Sequence, residues 1–260
     1  MQCRDIIEHL EQLSPVSFAE EWDNVGLLAG RSEKEVQRIF IALDATDDIV
    51  DEAVRVDADM LLTHHPLIFK GIKIVSDSDF IGRRILRLLR YDISYYAMHT
   101  NFDVMGMADA AADEMKLEHR EVLDVTYEDD LSREGIGRIG DLPQKISLIE
   151  CARYVKECFH IGNVRMYGDP NRKIRRVAIC PGSGSDVIQN AINKKVDVLI
   201  TGDIGHHDGI DAVACGLPII DASHYGLEKI FIPYMRDFLH RELPELEVMC
   251  AEYKPPYQDI

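Results

Sequence analysis

Two groups of residues that lie far apart in the sequence have the side chains and the spacing of metal ligands. His64 and His65 stand side by side where a run of apolar residues ends, and His224 and Glu228 stand four residues apart. Imidazole nitrogens and carboxylate oxygens suit divalent transition metals. A spacing of four places two side chains on one face of a helix. If the two groups meet in the fold, they form a site for two metal ions.

The segments around these residues supply further candidate ligands. Neighbouring residues of a strand point to opposite faces, so His64 and His65 would each bind a different ion. Asp103 follows four residues after His99, and the Glu228 carboxylate could bridge two ions about 3.5–4 Å apart. Open positions for water are typical of reactive metal sites. The predicted ligands are His64, His65, Asp103, His224 and Glu228.

Each histidine also has a purely structural explanation. A single histidine at the end of a strand is more often a hydrogen-bonding group than a metal ligand. The adjacent pair at 64–65, together with the distant pair at 224 and 228, favours metal binding over that alternative. His99 stays open between a ligand, a group that positions a ligand, and a simple hydrogen-bonding partner.

A second concentration of polar side chains lies in the segment Thr201–Gly209. We predict His206, His207 and Asp208 as catalytic groups that transfer protons. A role at the rim of the site, or as partners that orient metal ligands, is also compatible with their types. The structural alternative is a helix N-terminus, with Asp208 in the first turn and the histidines holding the loop backbone.

Two other segments have weaker chemical signals. Pro181–Asp186 is rich in glycine and could cradle a phosphate at a helix N-terminus. It lacks the third glycine of a dinucleotide fingerprint and the lysine of a P-loop, so an ordinary turn between strand and helix is favoured. Trp22 lies among polar residues in the loop Glu21–Gly26; it could line a cleft, or its buried indole could anchor the loop.

The elements that position these residues repeat along the chain. A strand predicted at Arg38–Asp44 is followed by a helix with Thr46 as its N-cap and by a second strand at Asp59–Thr63. A shift of 138 positions gives the same plan, with strands at Arg176–Cys180 and Asp197–Thr201. Third strands are predicted at Ile93–Met98 and Leu217–Ala222. Continuous apolar strands alternating with helices indicate parallel β-α-β construction.

We therefore predict an α/β fold of two structurally similar halves with mostly parallel sheets. The halves cover approximately residues 1–110 and 111–260. Residues from about 106 to 175 differ from the repeat; they include a glycine-rich strand or turn at Gly135–Gly140, a helix opened by Ser147, and a short strand at Val164–Tyr167. Ligands of such sheets gather beyond the carboxyl ends of the strands, where the predicted metal ligands lie.

Composition limits the classes of protein that remain. The net charge of −17 disfavours nonspecific binding to nucleic acid or to anionic membranes. Apolar runs are shorter than the roughly 20 residues that span a bilayer, and the acidic residues near Met1 do not fit a signal peptide. The six cysteines form no CxxC pair and are interpreted as reduced thiols of a cytoplasmic protein.

A resemblance to a known family rests on five segments in order: Glu21–Leu27, Thr63–Leu67, Gly137–Gly140, Gly202–His207 and Asp221–Glu228. Together they resemble the NIF-three-like proteins, which are known as type 2 homologues of GTP cyclohydrolase 1. The resemblance runs nearly end to end and implies two related α/β halves, with a dinuclear metal centre in the cleft between them. It also implies a hexameric ring and places the family's ligands on the five residues predicted above. Residues 106–175 fit only the short form, without the extra domain of longer members.

Two functions follow from these predictions. The first is a metal-dependent hydrolase in which activated water attacks a nucleotide such as GTP, as in a GTP cyclohydrolase-like reaction. The second is a noncatalytic metal-handling or scaffold protein with the same ligands. Zinc, iron, manganese and nickel all suit the ligand types. DNA binding through a ring is a third hypothesis, which the net charge of −17 disfavours.

Overall fold

The computed structural model describes residues 1–258 and is an α/β structure with two β-sheets, as predicted. The chain folds into two compact units. The first consists of Met1–Phe102 and Phe231–Tyr253, and the second of Asp103–Ile230 with residues 254–258. The return of Phe231–Tyr253 to the first unit was absent from the predicted division into consecutive halves at about residue 110.

The strands, in chain order, are β1 (Gly26–Ala29), β2 (Arg38–Ala42), β3 (Met60–Thr63), β4 (Ser94–Ala97), β5 (Glu118–Glu128), β6 (Arg133–Ser147), β7 (Arg165–Tyr167), β8 (Lys173–Ser183), β9 (Val198–Gly202), β10 (Ile219–Asp221) and β11 (Glu247–Cys250).

The α-helices are α1 (Cys3–Leu13), α2 (Asp47–Arg55), α3 (Phe80–Arg90), α4 (Thr100–Phe102), α5 (Ala108–Glu114), α6 (Leu148–Cys158), α7 (Ile188–Asn193), α8 (His206–Ala214), α9 (His224–Glu228) and α10 (Phe231–Glu242). Short 3-10 helices lie at Val16–Phe18 and Ser185–Val187, and a π-helical turn at Asp103–Met107. Within residues 1–258, no helix has the length and apolar character that a bilayer crossing requires.

The sheet of the first unit has the strand order β1-β4-β3-β2-β11. Strands β4, β3, β2 and β11 run parallel, and β1 adds to β4 in the antiparallel sense. Helices α2 and α3 cover one face, where Val50 and Leu88 pack with Phe40, Leu61 and Tyr95 of the strands. Because β3 and β4 are parallel neighbours, the residues that follow them emerge at the same edge of the sheet.

The sheet of the second unit has the order β5-β6-β8-β9-β10-β7. Its centre, β8-β9-β10, is parallel as predicted, whereas the pairings β5–β6, β6–β8 and β10–β7 are antiparallel. The long strands β5 and β6 account for most of the stretch that departs from the repeat. Ser147 is the N-cap of helix α6, as expected. Its hydroxyl accepts from the Glu150 N–H, and the Glu150 carboxylate accepts from the Ser147 N–H.

The repeat at a distance of 138 residues extends to single hydrogen bonds. The Asp59 carboxylate accepts from the N–H groups of Gln37 and Arg38 at 2.8 and 3.0 Å. The Asp197 carboxylate accepts from the equivalent N–H groups, those of Arg175 and Arg176, at 2.8 and 2.9 Å.

The turn before each of these strands repeats as well. Asp57 and Lys195, again 138 positions apart, both adopt a positive φ, at 56° and 54°. The first β-α-β segment of each unit is therefore built by the same local interactions.

Candidate metal centre

Three histidines converge at the edge of the first sheet. His64 follows β3 directly, His65 is its neighbour, and His99 follows β4. The ligand atoms of these three side chains all lie within 4.8 Å of one another. His64 is fully buried, and the other two are partly buried. The parallel pairing of β3 with β4 thus produces a cluster that could hold a metal ion.

The Nδ1 atom of each of these imidazoles faces an oxygen of the protein. His64 Nδ1 lies 2.7 Å from the Met98 carbonyl oxygen, and His65 Nδ1 lies 2.8 Å from Asp44 Oδ1. A carbonyl oxygen only accepts, so His64 Nδ1 must carry the proton, and the Asp44 carboxylate, as an acceptor, imposes the same tautomer on His65. In a neutral imidazole this leaves Nε2 with the lone pair that binds metal.

The backbone that carries His64 and His65 is fixed by buried hydroxyl groups. The hydroxyl groups of Thr63 and Tyr95 both donate to the His65 carbonyl oxygen, at 2.8 and 2.9 Å. Tyr95 also accepts from the Leu67 N–H at 2.8 Å. Burial raises the pKa of Tyr95, so its hydroxyl remains a donor. The turn after β3 is therefore held from β4, and the two imidazoles that it carries have an interplanar angle of 49°.

His99 is held by a carboxylate from another loop. Its Nδ1 lies 2.9 Å from the buried carboxylate of Asp23, which also accepts from the N–H and the hydroxyl of Thr100 at 3.0 and 2.6 Å. Burial acts to raise the pKa of Asp23, but the bonds from His99 and Thr100 outweigh it and lower the pKa overall. Asp23 is therefore an ionised partner of His99.

Of the two explanations that the sequence left open for Trp22, the one in which a buried indole anchors the loop is excluded. The Trp22 side chain is exposed, at 63%. The neighbouring carboxylate of Asp23 anchors the loop instead, through the hydrogen bonds to His99 and Thr100.

In the second unit, His224 and Glu228 lie on one helical turn as their spacing predicts. They are the first and last residues of α9, and His224 Nε2 lies 2.9 Å from Glu228 Oε2. Ser223 caps the helix with its hydroxyl and adopts a positive φ of 61°, which is unusual for a residue with a side chain. His224 Nδ1 lies 2.8 Å from Asp203 Oδ2, so it resembles the histidines of the first unit.

Glu228 fits against a glycine at the end of β8. Its side chain is buried, and a Cβ placed on Gly182 would come within 2.5 Å of Glu228 Oε1. Gly182 also has a φ of +82°. The glycine-rich segment at Pro181–Asp186 therefore makes room for a carboxylate that belongs to the candidate metal centre.

Asp103 lies at the start of the π-helical turn, in the same unit as Glu228. Burial raises the pKa of the Cys180 thiol, and the nearby carboxylates of Asp103 and Glu228 raise it further. Both acidic groups thus lie close enough to Cys180 to disfavour its ionisation. These two predicted ligands, Asp103 and Glu228, therefore both lie near Cys180 in the second unit.

The three predicted catalytic residues lie on the first turn of α8. His206, His207 and Asp208 are exposed, and the two imidazole rings contact each other at 5.2 Å between centroids. Asp208 accepts from the Ser185 hydroxyl at 3.0 Å. From the same loop, the residue that reaches His224 is Asp203. The catalytic role of His206, His207 and Asp208 stays a prediction.

The oxygen atoms that accept hydrogen bonds from the histidines were not predicted from the sequence. Asp44 closes the segment that contains β2, and Asp23 lies between the tryptophan and Asn24 of the first loop. Both are acidic residues in loops next to the strands, and this position is the sequence feature that could have identified them as partners of the histidines. The Met98 carbonyl oxygen carries no sequence signal, because every residue has one.

An α/β protein with histidine and carboxylate clusters that could hold a metal ion is the class that these observations define. The chain belongs to the Duf34/NIF3 (NGG1p interacting factor 3) family, whose model matches residues 1–256.

Relatives of known sequence or structure match over the full length. A Clostridium perfringens protein named GTP cyclohydrolase 1 type 2 homolog is 33% identical, with 100% of each chain covered. The crystal structure of Staphylococcus aureus protein SA1388 matches with a TM-score of 0.90 and 29% identity, covering 100% of this chain and 99% of that one. Reduced HcgD from Methanocaldococcus jannaschii matches at 0.82 and 31%, covering 97% and 98%.

Proposed function

We propose that this protein binds two divalent metal ions through His64, His65, Asp103, His224 and Glu228 and uses them to hydrolyse a small substrate. The observation that carries the proposal is that Nδ1 of each proposed histidine ligand faces an oxygen. His64 faces the Met98 carbonyl, His65 faces Asp44, and His224 faces Asp203. Metal-binding histidines almost always donate their other ring N–H to such an oxygen.

The chemistry of the donor set fits divalent transition metals. Three imidazoles and two carboxylates provide nitrogen and oxygen ligands without a thiolate, which suits zinc, iron, manganese or nickel. The buried position of Glu228 supports the same conclusion, because a buried carboxylate needs a positive partner to offset its desolvation.

Activation of water near neutral pH is the chemistry that a bound pair of divalent ions supplies. The chain's own contribution is to hold each imidazole in one tautomer and to keep Glu228 in place against Gly182. His206, His207 and Asp208 are the candidates for proton transfer to the leaving group, since they are solvent-exposed on the first turn of α8.

The substrate class that we propose is a purine nucleotide such as GTP, on the strength of the relatives' name. In that reaction, hydrolysis opens the five-membered ring of guanine and releases formate. The name belongs to the relatives, so the reaction is a proposal for this chain. A homohexameric ring and a cytoplasmic location are proposed on the same resemblance; the free state of all six cysteines supports a reducing compartment.

The first experiment measures metal binding. Metal-stripped protein is incubated with zinc, iron, manganese and nickel in turn, and the bound metal per chain is measured by inductively coupled plasma mass spectrometry. We expect two ions per chain, and at most one in the variants His64→Ala and Glu228→Gln. His119→Ala serves as a control, because that side chain is 76% exposed. Wild-type protein that stays empty with all four metals would refute the proposal.

The second experiment measures hydrolysis. Each metal-loaded form is incubated at stoichiometric concentration with GTP and with a panel of phosphoesters, and formate, phosphate and nucleoside products are quantified. Turnover that disappears in Glu228→Gln supports the hydrolase. Tight binding of exchangeable metal without turnover of any compound supports the second candidate, a metal-handling or scaffold protein. The same ligand set is the observation that favours this candidate.

A further inference from the structure

Two exposed aromatic side chains lie against His99 in the first unit. Trp22 is 63% exposed and Phe69 is 46% exposed. Their ring centroids lie 5.9 and 5.6 Å from the centroid of the His99 ring, in edge-on contacts with interplanar angles of 75° and 87°. Aromatic residues of this size gain by leaving water, so their exposure beside a polar cluster indicates a surface for a ligand.

The loops that carry the two rings are tied to each other and to the sheet. The Asn24 side-chain amide donates to the Ile68 carbonyl oxygen at 2.6 Å, which joins the loop of Trp22 to the loop of Phe69. Asp23, next to Trp22, is buried and accepts from His99 and Thr100. Both aromatic side chains thus project from anchored backbone, which reduces the ordering cost when a ligand binds.

The contacts of His99 connect these rings to the candidate metal centre. The centroid of the His99 ring lies 5.2 Å from that of His64 and 5.4 Å from that of His65. A flat ligand on Trp22 and Phe69 would therefore be held one imidazole away from the proposed ligands. That separation is short enough for one part of a small molecule to bind the aromatic surface while another part reaches the metal ions.

We propose that Trp22 and Phe69 form a binding surface for the planar heteroaromatic ring of the substrate. This inference rests on the proposed function and names the part of the substrate that gives affinity. Stacking of a base on an aromatic side chain strengthens binding about fivefold or more, and it accepts any base because each has a π-face. The two residues would contribute to ring binding and leave the choice among bases to other contacts.

The chain provides its own probe, because Trp22 is its only tryptophan. Metal-free and zinc-loaded protein are titrated with guanosine, cytidine and nicotinamide, with ribose as the non-aromatic control. Light absorbed by the ligands is corrected with a free tryptophan derivative. We expect saturable quenching of tryptophan fluorescence by at least one heteroaromatic compound and none by ribose.

Variants then assign the binding to the two residues. Calorimetry should give a dissociation constant at least about fivefold weaker in Phe69→Leu and in Trp22→Leu, as the loss of one stacking contact requires. Tyr127→Leu removes an exposed aromatic side chain from the second unit and should bind like the wild type. Circular dichroism checks that each variant is folded, which is expected because both side chains are exposed.

The outcomes separate this inference from the proposed function. Two bound ions with no saturable quenching by any of the three compounds would overturn the aromatic surface alone. Unchanged affinity in both Trp22→Leu and Phe69→Leu would do the same. Quenching by metal-free protein that never binds metal would retain the aromatic surface and refute the metal-dependent hydrolase.

Discussion

Among single residues, the oxygen partners of the imidazoles decide what the candidate centre can do. A neutral imidazole has one donor nitrogen and one acceptor nitrogen, and the position of the proton depends on the neighbour of Nδ1. Met98, Asp44 and Asp203 each place an oxygen at that atom of a different histidine. The same side chains would be poorer ligands if Nδ1 faced a donor, because the lone pair would then point away from the metal.

Replacement of one such partner tests this argument. Asp203→Asn keeps the size of the side chain but allows its amide to donate to His224 Nδ1, which destabilises the metal-binding tautomer. We expect metal affinity to fall about 10- to 100-fold with little change in stability. Competition with a coloured chelator measures the affinity. Asp211→Asn, an exposed position on α8, is the control and should keep the wild-type affinity.

A pair of glycine substitutions separates crowding of the site from backbone strain. Gly182 and Gly216 have similar positive φ values, +82° and +86°, so alanine at either should cost about 1–2 kcal/mol of stability. Only at Gly182 would the new Cβ meet the Glu228 carboxylate, at 2.5 Å.

We expect Gly182→Ala to weaken metal binding about tenfold or more, and Gly216→Ala to leave it unchanged. Calorimetric titration with zinc and thermal unfolding provide the two measurements. Equal metal affinity in the two variants would show that Gly182 has no special relation to Glu228.

At the level of secondary-structure elements, the two units share one way of starting a sheet. A carboxylate just before the second strand accepts from two consecutive N–H groups of the first β-α-β segment. In both units these N–H groups lie just before the first paired residues of the two parallel strands, which are Ile39 with Met60 and Val177 with Val198. The carboxylate thus sets the register between two parallel strands, which no turn could fix because their connection is a helix.

The repeat predicts similar costs at equivalent positions, with an additional contribution at Asp59, whose Oδ1 lies 3.9 Å from Nζ of the buried Lys34. Asp59→Ala and Asp197→Ala each remove a carboxylate acceptor from two backbone donors, and each should lower the free energy of unfolding by about 1.5–3 kcal/mol. Denaturation in urea, followed by circular dichroism, gives these values. Asp130→Ala, in the exposed turn between β5 and β6, is the reference and should change stability by less than about 0.5 kcal/mol. Costs that differ severalfold would mean that the carboxylates have different roles in the two units.

The parts of the fold that follow from hydrophobic pattern were predictable. Strands β2, β3, β4, β8, β9 and β10 lie within one to three residues of their predicted ends, because buried parallel strands are short apolar runs between turn residues. Strands β5 and β6 were largely missed. Their burial is irregular, the hairpin is long, and its glycines pack against backbone; a Cβ on Gly135 would come within 1.9 Å of the Asp124 carbonyl oxygen.

The candidate site was predictable to a similar degree. Residue type and spacing identified His224 with Glu228 on one helical turn, since that pair is local. The partners Asp23 and Asp44 depend on loops that meet β3 and β4 in space, and spacing along the chain contains no information on such contacts. His99 was left open, and its bond to Asp23 places it among the histidines whose Nδ1 is held by an oxygen.

For the whole molecule, assembly is the property that the resemblance predicts and that a single measurement can test. Light scattering coupled to gel filtration should give a mass six times the 29.5 kDa of one chain. The mass should persist at high salt if apolar contacts dominate the interfaces, because salt screens exposed charges. A mass of one or two chains at micromolar concentration would contradict the ring.

The return of β11 to the first sheet has a consequence for how the protein can be divided. Strand β11 pairs with β2 along Glu247–Cys250, although more than a hundred residues of the second unit intervene in the chain. Residues 103–230 of the second unit are thus inserted between two segments of the first unit, and a polypeptide that stops before residue 231 would leave the outer side of β2 uncovered. To obtain the first unit by itself, an experimenter would have to join residue 102 to residue 231 with a short linker and end the chain at residue 253.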